Sequence, residues 1–414
     1  MYDNVNRENI IIWWTPFIGN IEYARTCGSH ARCLFTENRH LLDHANFKGH
    51  VSEMGPLGHT VPQALLFYGS NFNKADLPIP RSYNHLWALF HEESPKNSAL
   101  LMYDAALSFF NVTATFSQNS DFPLTLQHLD SYEMLVSRNY THTVDEKNQF
   151  QQDELLAPVL YMQSICDTMS GRDPYIMELM QYINVDSYGR CLNNKELPES
   201  LSGKNYLSTM DSEELYKFIS RYKFVISYEN SVCNDYVTEK LWRTIVVGSV
   251  PVYFGAPNIK QWLPNNKTAI LIDDFKSPKE LAEFLLDLNE DENEYNTYLR
   301  HKNVDEDPVT NKMLLNALAT RGYRTESLLQ DFECFVCAHS LRKTLRKGYE
   351  CEEKLVFPPT EDKRITEMGW QLYVQQGKCE AETLAFFLNE NRPFSERDFN
   401  KALLKRYELG LCEQ

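Results

Sequence analysis

The chain has 414 residues, of which 43% are hydrophobic, so it is long enough for two or three domains with sizeable cores. Its formal net charge of −16 argues against nucleic acid or an anionic membrane surface as a partner, because both select basic patches. No signal peptide or transmembrane segment is predicted, since the first residues are polar and no apolar run approaches the roughly 20 residues of a spanning helix.

The first part of the chain has the pattern of an irregular α/β domain. Short apolar runs separated by turn residues predict strands at 10–14, 64–68, 87–90 and 107–116. The stretch 49–62 is rich in Gly, Pro and His and predicts a loop, while the polar stretch 145–154 predicts a linker. We therefore place an N-terminal α/β domain at residues 1–150.

Two adjacent carboxylates and a histidine follow the predicted strand 87–90, in the run FHEESP. Neighbouring carboxylates raise the pKa of one of the pair, which suits a group that must accept a proton near neutral pH. Glu92 and Glu93 are therefore candidates for acid/base chemistry. The alternative is an exposed acidic turn without a function.

The second part of the chain alternates strands and helices. Apolar runs predict strands at 158–163, 184–188, 223–228, 249–254 and 268–273. Helical spacing of apolar residues predicts helices at 173–183, 211–222, 234–247 and 277–288. This alternation predicts a doubly wound parallel sheet, which we place at residues 151–340.

Polar residues are dense between the predicted strand 223–228 and the helix that follows it, over residues 229–240. Ligands of open α/β sheets bind at the carboxyl ends of strands, and the N-terminus of a helix there offers free N–H groups to an anion. Arg172 stands at the start of another predicted helix and offers paired donors to a phosphate. The alternatives are an ordinary polar loop and, for Arg172, an ion pair with Asp173.

The ten cysteines include one pair near the start of the chain, Cys27 and Cys33, and a second pair, Cys334 and Cys337, some three hundred residues later. By spacing alone these could form a redox pair, a Cys₄ zinc site or disulfides. The sequence does not reveal the pairing of Cys166, Cys191, Cys233, Cys351, Cys379 and Cys412. Asn-x-Ser/Thr triplets make Asn111, Asn139 and Asn266 candidates for N-glycosylation.

The runs YENSVCNDYVTEKLW and GSVPVYFGAP strongly resemble the signature of the α-1,3-fucosyltransferase family, and the similarity extends more loosely over residues 10–337. The runs FHEESPKN, VDSYG and FECFVC are similar to a divergent branch of that family, described as protein O-fucosyltransferases acting on EMI-type domains. The resemblance implies two Rossmann-like domains facing a cleft, the GT-B architecture. It also implies inverting transfer of fucose from GDP-fucose.

The resemblance implies an acceptor-side domain at 1–150, a GDP-fucose-binding domain at 151–340 and an extension of unknown role at 341–414. It makes Glu93 the catalytic base, with Glu92 either shaping its environment or competing for the same task. It assigns donor contacts to Ser164, Arg172, Asn230, Tyr236, Glu239 and Lys240. For Tyr236 the alternative is core packing beside Trp242, and for Ser164 it is a turn at the end of a strand.

The family resemblance also implies disulfides from Cys27 and Cys33 to Cys334 and Cys337, and hence an oxidising Golgi or endoplasmic reticulum lumen. Family members usually carry a type II membrane anchor, so we expect the native protein to be tethered by a segment that is not visible here. The acidic triplet Asp305-Glu306-Asp307 follows no predicted strand, and we interpret it as a solvated loop rather than a metal site. We therefore expect no required metal.

The acceptor stays open at this point. The resemblance implies either N-acetylglucosamine of a glycan or the Ser/Thr hydroxyl of a folded glycoprotein domain, and no nucleic-acid partner is expected. Two alternatives to the fucosyltransferase hypothesis remain. One is a sugar- or protein-binding chaperone that has lost catalysis, and the other is a transferase for a different nucleotide sugar, since one fold hosts many donors.

Overall fold

The computed structural model describes residues 9–16, 19, 21–28, 31–42, 62–82, 84–166, 168–202, 209–303, 307–338, 351 and 363–412, of which 363–368 are described by backbone only. The chain forms two compact units. Unit 1 comprises residues 1–125, 322–350 and 373–414, and unit 2 comprises residues 126–321 and 351–372. The domain limits predicted at residues 150 and 340 stay predictions.

The described strands are β1 (Asn9–Trp13), β2 (Glu22–Cys27), β3 (Ala31–Thr36), β4 (Ala64–Tyr68), β5 (Leu86–Phe90), β6 (Val112–Ala114), β7 (Val159–Gln163), β8 (Val185–Gly189), β9 (Phe224–Tyr228), β10 (Val250–Phe254) and β11 (Ile270–Leu271). The described α-helices are α1 (Asp104–Leu107), α2 (Tyr132–Val136), α3 (Val144–Asp153), α4 (Arg172–Leu179), α5 (Glu213–Ile219), α6 (Glu239–Val246), α7 (Pro278–Glu290), α8 (Glu292–Tyr298), α9 (Lys312–Thr320), α10 (Leu328–Ala338), α11 (Lys363–Glu390) and α12 (Glu396–Glu408). Short 3-10 turns lie at Gly69–Asn71, Pro95–Asn97, Ala99–Met102, Ile259–Gln261, Ile272–Asp274, Arg300–Lys302 and Thr325–Ser327.

Unit 1 is built on a sheet with the strand order β2-β3-β1-β4-β5-β6, in which β2 pairs antiparallel with β3 and the other pairs are parallel. Side chains of a strand alternate between the two faces of a sheet. Accordingly, Ile11 and Trp13 join a core with α10, while Ile12 joins a second core with α11 and α12. Both faces of the sheet are therefore covered by helices, as a parallel sheet requires.

Two disulfides fasten α10 to the edge of this sheet, Cys27–Cys334 and Cys33–Cys337. Between them, the buried Glu333 carboxylate accepts hydrogen bonds from Trp13 Nε1 at 3.0 Å and Arg25 Nε at 3.1 Å. Helix α10 thus packs on strands from the beginning of the chain. The two disulfides join cysteines that are 307 and 304 residues apart in the sequence.

Unit 2 is built on a parallel sheet with the strand order β11-β10-β9-β7-β8. The chain moves outward from β7 to β8, then crosses back to β9 and continues to β10 and β11. The order therefore reverses between β7 and β9, which is the topological switch point where doubly wound sheets bind ligands. The predicted fold class, parallel α/β sheets of the Rossmann-like type, is confirmed.

Several elements differ from the sequence prediction, among them β2 and β3, which were not predicted. The predicted strand 107–116 is shorter, because α1 ends at Leu107 and β6 covers only Val112–Ala114. The predicted linker 145–154 is helix α3, whose fully buried Lys147 donates to Gly248 O at 2.7 Å and Tyr222 O at 3.0 Å. The helix predicted from residue 234 begins only at Glu239.

The extension predicted at 341–414 is described at residue 351 and over 363–412, where a disulfide joins Cys379 of α11 to Cys412, four residues after the end of α12. Phe387 and Phe399 from these helices enter the core of unit 1. None of the helices in the described ranges combines the length and apolar character needed to cross a membrane. The predicted loop 49–62 lies, except for its last residue, outside the described residues.

Candidate active site

The switch point of unit 2 brings together the loops that follow β7 and β9. Ser170 Oγ, in the first loop, donates to Glu229 O in the second at 2.8 Å. The Tyr228 hydroxyl at the end of β9 donates back to Ser170 O at 2.7 Å. The two loops that carry the predicted donor contacts are therefore joined by hydrogen bonds at the sheet edge where ligands bind.

Arg172 is the first residue of α4, and Gly171 before it adopts the left-handed conformation with φ of 71°. The Arg172 side chain is 1% exposed. Its Nη1 donates to Tyr228 O at 3.2 Å, and Nη2 donates to Ile165 O. The guanidinium therefore ties the ends of both loops together and fixes a positive charge at the switch point. Arg172 Nε lies 3.9 Å from Asp173 Oδ1, which is longer than the two hydrogen bonds of this guanidinium.

The start of α6 is organised by the buried carboxylate of Glu229, which directly follows β9. It accepts hydrogen bonds from the Thr238 backbone N–H at 2.8 Å and the Thr238 hydroxyl at 2.8 Å. Thr238 is the N-cap of α6. Lys240 Nζ lies 3.4 Å from Glu229 Oε2, 3.2 Å from Glu239 Oε1 and 3.1 Å from Thr238 Oγ1. The Lys240 ammonium is thus held over the first turn of the helix.

The pKa values of the two acids of this cluster are shifted in opposite directions. Burial raises the pKa of Glu229. Burial would also raise the pKa of Glu239, but the adjacent Lys240 outweighs it and holds that pKa well below its usual range. His128 Nε2 lies 4.0 Å from Glu239 Oε2, and burial lowers the pKa of His128 while Glu239 acts to raise it. Glu239 is therefore an ionised acceptor beside a cation.

Tyr236 and Asn230 lie in the loop between β9 and α6. The Tyr236 hydroxyl donates to Asn230 Oδ1 at 2.9 Å, and the Tyr236 side chain is 2% exposed. Asp235 before it has a left-handed φ of 66° and is held by Asn258, whose Nδ2 donates to Asp235 Oδ1 at 2.7 Å. This strained turn delays the start of α6 to Glu239 and positions Tyr236 to orient Asn230.

Ser164 is exposed immediately after β7. The same loop is fastened by the Cys166–Cys191 disulfide to the chain that follows β8. Cys166, Cys191 and Asp173 form a cluster of potential metal ligands in the described part of the chain, but the two sulfurs are bonded to each other. Of the acidic triplet 305–307, the first two residues lie outside the described ranges.

The carboxylate pair Glu92 and Glu93 lies in unit 1, just beyond β5. Glu93 is exposed and Glu92 is half-buried. The Tyr68 hydroxyl, at the end of the neighbouring strand β4, donates to Glu92 Oε1 at 3.0 Å. Burial raises the pKa of Glu92 to about 7. The fully buried His91 has its pKa lowered by burial to about 4, so its ring is neutral at pH 7.

The structure therefore gathers the predicted donor contacts Arg172, Asn230, Tyr236, Glu239 and Lys240 at the switch point of unit 2, and places Ser164 at the exposed end of β7. Sequence analysis did not identify Ser170 and Tyr68 as site members, and it included Glu229 only as part of the polar run 229–240. Glu229 carried a usable signal, because it directly follows a buried strand. Ser170 and Tyr68 are separated in the sequence from their hydrogen-bond partners, Glu229 and Glu92, by 59 and 24 residues, so local spacing could not predict these contacts.

The glycosylation candidates differ in their surroundings. Asn139 and Asn266 are exposed in turns. Asn111 is half-buried, and its Oδ1 accepts from Trp87 N at 2.9 Å and Arg81 Nη2 at 2.6 Å. Modification at the three positions stays a prediction, with Asn111 the most engaged in the fold.

Two α/β units, one with a cationic switch point and one with an ionisable carboxylate pair, are typical of glycosyltransferases that use nucleotide sugars. Residues 5–127 match the family model "Fucosyltransferase, N-terminal", and residues 152–344 match "Glycosyltransferase family 10 (fucosyltransferase) C-term". The chain is 38% identical to alpha-(1,3)-fucosyltransferase B of Drosophila melanogaster, over 99% of this chain and 92% of that protein. It is 40% identical to GDP-fucose protein O-fucosyltransferase 3 of Homo sapiens, over 94% of this chain and 81% of that protein.

Among solved structures, a crystal structure of α1,3-fucosyltransferase with GDP-fucose aligns with a TM-score of 0.40 and 15% identity, over 69% of this chain and 80% of that one. The sequence relatives decide the assignment. The chain belongs to glycosyltransferase family 10, the fucosyltransferases, and is an enzyme of that family.

Proposed function

We propose that this enzyme transfers L-fucose from GDP-β-L-fucose to a hydroxyl group of a folded protein domain, with inversion at the anomeric carbon. The observation that carries the proposal is the switch point of unit 2, where Arg172, Lys240 and the start of α6 come together. The relatives named GDP-fucose protein O-fucosyltransferase 3 favour a Ser/Thr hydroxyl. The relative named alpha-(1,3)-fucosyltransferase B favours N-acetylglucosamine as a second candidate acceptor.

The donor site proposed here complements the charge of a nucleoside diphosphate. Lys240, held over the first turn of α6 at the positive end of the helix dipole, supplies positive charge for the phosphates, and Arg172 adds a fixed charge from the facing loop. The ionised Glu239 can accept hydrogen bonds from ribose hydroxyls. Two further residues complete the contacts to the nucleotide. Asn230 is oriented by Tyr236, and the exposed Ser164 offers its hydroxyl.

The transfer is a single displacement. The acceptor oxygen forms a bond to C1 of fucose while the bond between C1 and the β-phosphate oxygen breaks, and GDP leaves with the electron pair. The acceptor's hydroxyl proton passes to a base, which we propose is Glu93. Its position in the FHEESP run, just beyond the end of β5, and its exposed side chain support this assignment.

The leaving diphosphate gains negative charge as the bond breaks, so it needs positive charge aimed at it. We propose that Arg172, Lys240 and the N-terminus of α6 supply that charge and that no divalent metal is required. Transfer in the presence of EDTA should therefore match transfer in added Mg²⁺ or Mn²⁺. Loss of turnover in EDTA, restored by one of these ions, would overturn this part of the proposal.

The enzymatic proposal is tested by GDP release from GDP-fucose against a panel of glycans and folded, disulfide-rich domains, including EMI-type domains. We expect release with a folded domain, and mass spectrometry should find a deoxyhexose on its Ser or Thr. The Glu93→Gln variant should lose turnover by a factor of about 10²–10⁴ while keeping its affinity for GDP. Glu408→Gln, an exposed acid on α12, is the matched control and should behave as wild type.

The same assay separates the alternatives. A binding protein without catalysis would bind GDP-fucose and release no GDP with any acceptor. A transferase for another donor would release nucleotide from a different sugar nucleotide and leave GDP-fucose intact. Normal turnover by Glu93→Gln would show that the base is misassigned even if the enzyme is a fucosyltransferase.

The disulfides of the described residues support a compartment in which thiols oxidise. We propose the lumen of the Golgi or the endoplasmic reticulum, with a tether outside this sequence. Localisation of the tagged full-length protein by fluorescence microscopy, with protease protection of the tag, tests this. A cytosolic distribution would contradict it.

A further inference from the structure

The turn that follows Glu93 is bound by the C-terminal extension of the chain. Ser94, the next residue, is the N-cap of the 3-10 turn Pro95–Asn97. The Tyr373 hydroxyl of helix α11 donates a hydrogen bond to Lys96 O, in the middle of this turn. Tyr373 lies beyond the residues that the family models match, and in the same compact unit as Glu93. A residue far along the chain therefore contacts the main chain beside the proposed base.

Helix α11 packs closely on the residues just after the turn. A Cβ at Gly377, about one helical turn after Tyr373, would come within 2.7 Å of the Ala99 side chain. The Tyr103 hydroxyl donates at 2.6 Å to the carbonyl oxygen of Val374, the residue after Tyr373. Both contacts hold this part of the helix against the segment 99–103, so the hydroxyl of Tyr373 stays within reach of the turn.

The main chain before Glu93 is held separately, by the sheet of unit 1. The His91 backbone N–H donates to Ala114 O, at the end of β6, at 2.8 Å, and the His91 side chain is fully buried. After Glu93, the buried Ser94 accepts a hydrogen bond at its carbonyl oxygen from the Asn97 N–H at 2.9 Å. The exposed Glu93 side chain thus projects from a short segment that is anchored by the sheet before it and by the turn after it.

We propose that Tyr373 is a positioning residue for Glu93. By bonding Lys96 O, its hydroxyl keeps the turn, and with it the Glu93 carboxylate, where the acceptor hydroxyl can reach it. A general base must lie within hydrogen-bond distance of the proton that it takes, so a small displacement of its main chain lowers the rate of transfer. Tyr373 itself exchanges no proton with the acceptor. This inference rests on the proposed function, in which Glu93 is the base.

The test compares two matched variants of the full chain, Tyr373→Phe and Tyr103→Phe. Each removes one hydrogen bond between α11 and the segment 96–103 and keeps the aromatic ring, but of the two only Tyr373→Phe removes a bond to the turn. With GDP-fucose and the folded domain that gives the most GDP release, kcat should fall roughly tenfold in Tyr373→Phe. The affinity for GDP should not change. Tyr103→Phe should keep the wild-type kcat, and thermal melts confirm that both variants fold.

Hydrogen exchange followed by mass spectrometry measures the turn without any acceptor. The N–H groups of Asn97 and Ser98 donate within the turn, to Ser94 O and Pro95 O. If Tyr373 holds the turn, peptides that cover residues 93–99 should exchange roughly tenfold faster in Tyr373→Phe than in wild type. The same peptides should exchange at the wild-type rate in Tyr103→Phe.

A lower kcat together with faster exchange at the turn, both confined to Tyr373→Phe, supports the proposal. Equal losses of kcat in the two variants would mean that Tyr373 only stabilises the fold, and the proposal is then overturned. Wild-type kcat or unchanged exchange in Tyr373→Phe overturns it as well. If Glu93→Gln loses turnover while Tyr373→Phe keeps it, this inference alone fails. If Glu93→Gln keeps normal turnover, the base assignment fails, and this inference fails with it.

Discussion

Removing the Glu229 carboxylate should damage both the stability of unit 2 and its affinity for GDP. Glu229 is 0% exposed and accepts hydrogen bonds from the Thr238 N–H and the Thr238 hydroxyl, while Lys240 Nζ lies 3.4 Å away. In Glu229→Ala, the buried Thr238 N–H loses its acceptor, and Lys240 loses one of its two carboxylate partners. Leaving a buried donor without an acceptor costs about 1–3 kcal/mol and more where a charge is involved, so we expect a loss of about 3 kcal/mol in the free energy of unfolding.

The Glu229→Gln variant separates the hydrogen bonds from the charge. Gln keeps an oxygen for the Thr238 N–H but no longer pairs with Lys240, so we expect a smaller stability loss of about 1–2 kcal/mol. Lys240 would lose one of the two carboxylates that hold it over α6, and GDP binding should weaken by roughly tenfold, equivalent to about 1.4 kcal/mol.

Urea unfolding of the disulfide-intact chain, followed by tryptophan fluorescence, measures the first effect, since Trp242 is fully buried on α6. Isothermal titration with GDP measures the second. The control is Glu213→Ala, which removes an exposed acid paired with Lys217 and should cost less than about 1 kcal/mol. A Glu229→Ala protein within 1 kcal/mol of wild type, or a destabilised one with unchanged GDP affinity, would refute the reasoning.

Three further predictions concern other parts of the chain. Lys302→Met should lose about 2–4 kcal/mol in urea unfolding, because the Lys302 ammonium donates to three carbonyls, among them Val246 O at 2.7 Å. Burial lowers the pKa of Lys302 to about 7, so the unfolded chain binds more protons between pH 7 and about 10, and wild type should gain stability relative to Lys302→Met over that range. Gly377→Ala should lower kcat more than GDP affinity. Its added Cβ would come within 2.7 Å of Ala99 and so displace the neighbouring FHEESP turn, which carries the proposed base. Equal losses in kcat and GDP affinity would contradict this. Arg172→Lys should weaken GDP binding by roughly tenfold, because Lys cannot bond both loop carbonyls at once; unchanged affinity would remove it from the site.

Most strands of both sheets were predictable because buried parallel strands are continuous apolar runs. Strands β2 and β3, which alternate buried and partly exposed residues, were not predicted. The run ALLFY gave β4 with its observed bounds, and FVISY gave β9 to within one residue. The order of the strands was not predictable in detail, but the alternation with helices was enough to define a doubly wound sheet. The switch point, where we propose the donor site, follows from that topology.

The start of α6 was mispredicted because the decisive contacts are not local. Apolar spacing continues through Val237, but the left-handed Asp235 is held by Asn258, 23 residues later in the chain. A hydrogen bond from another loop thus overrides the helical pattern. The same limit applies to Glu92, whose partner Tyr68 lies on a different strand.

The polar stretch 145–154 shows the opposite error. Its composition is that of a linker, yet it forms α3 with a capping box at Thr143 and Glu146. One lysine decides the outcome, since Lys147 reaches into the interior and bonds the carbonyls at the end of the α6 region. A single buried anchor in a polar helix leaves no periodic signal in the sequence.

The central claim is that the start of α6 at the switch point binds the diphosphate of the donor. Isothermal titration of GDP into the wild-type chain and into Lys240→Ala, with Lys217→Ala as the exposed-lysine control, tests it most directly. We predict that Lys240→Ala weakens GDP binding by roughly tenfold or more while Lys217→Ala binds as wild type. Equal affinity of all three proteins for GDP would contradict the claim.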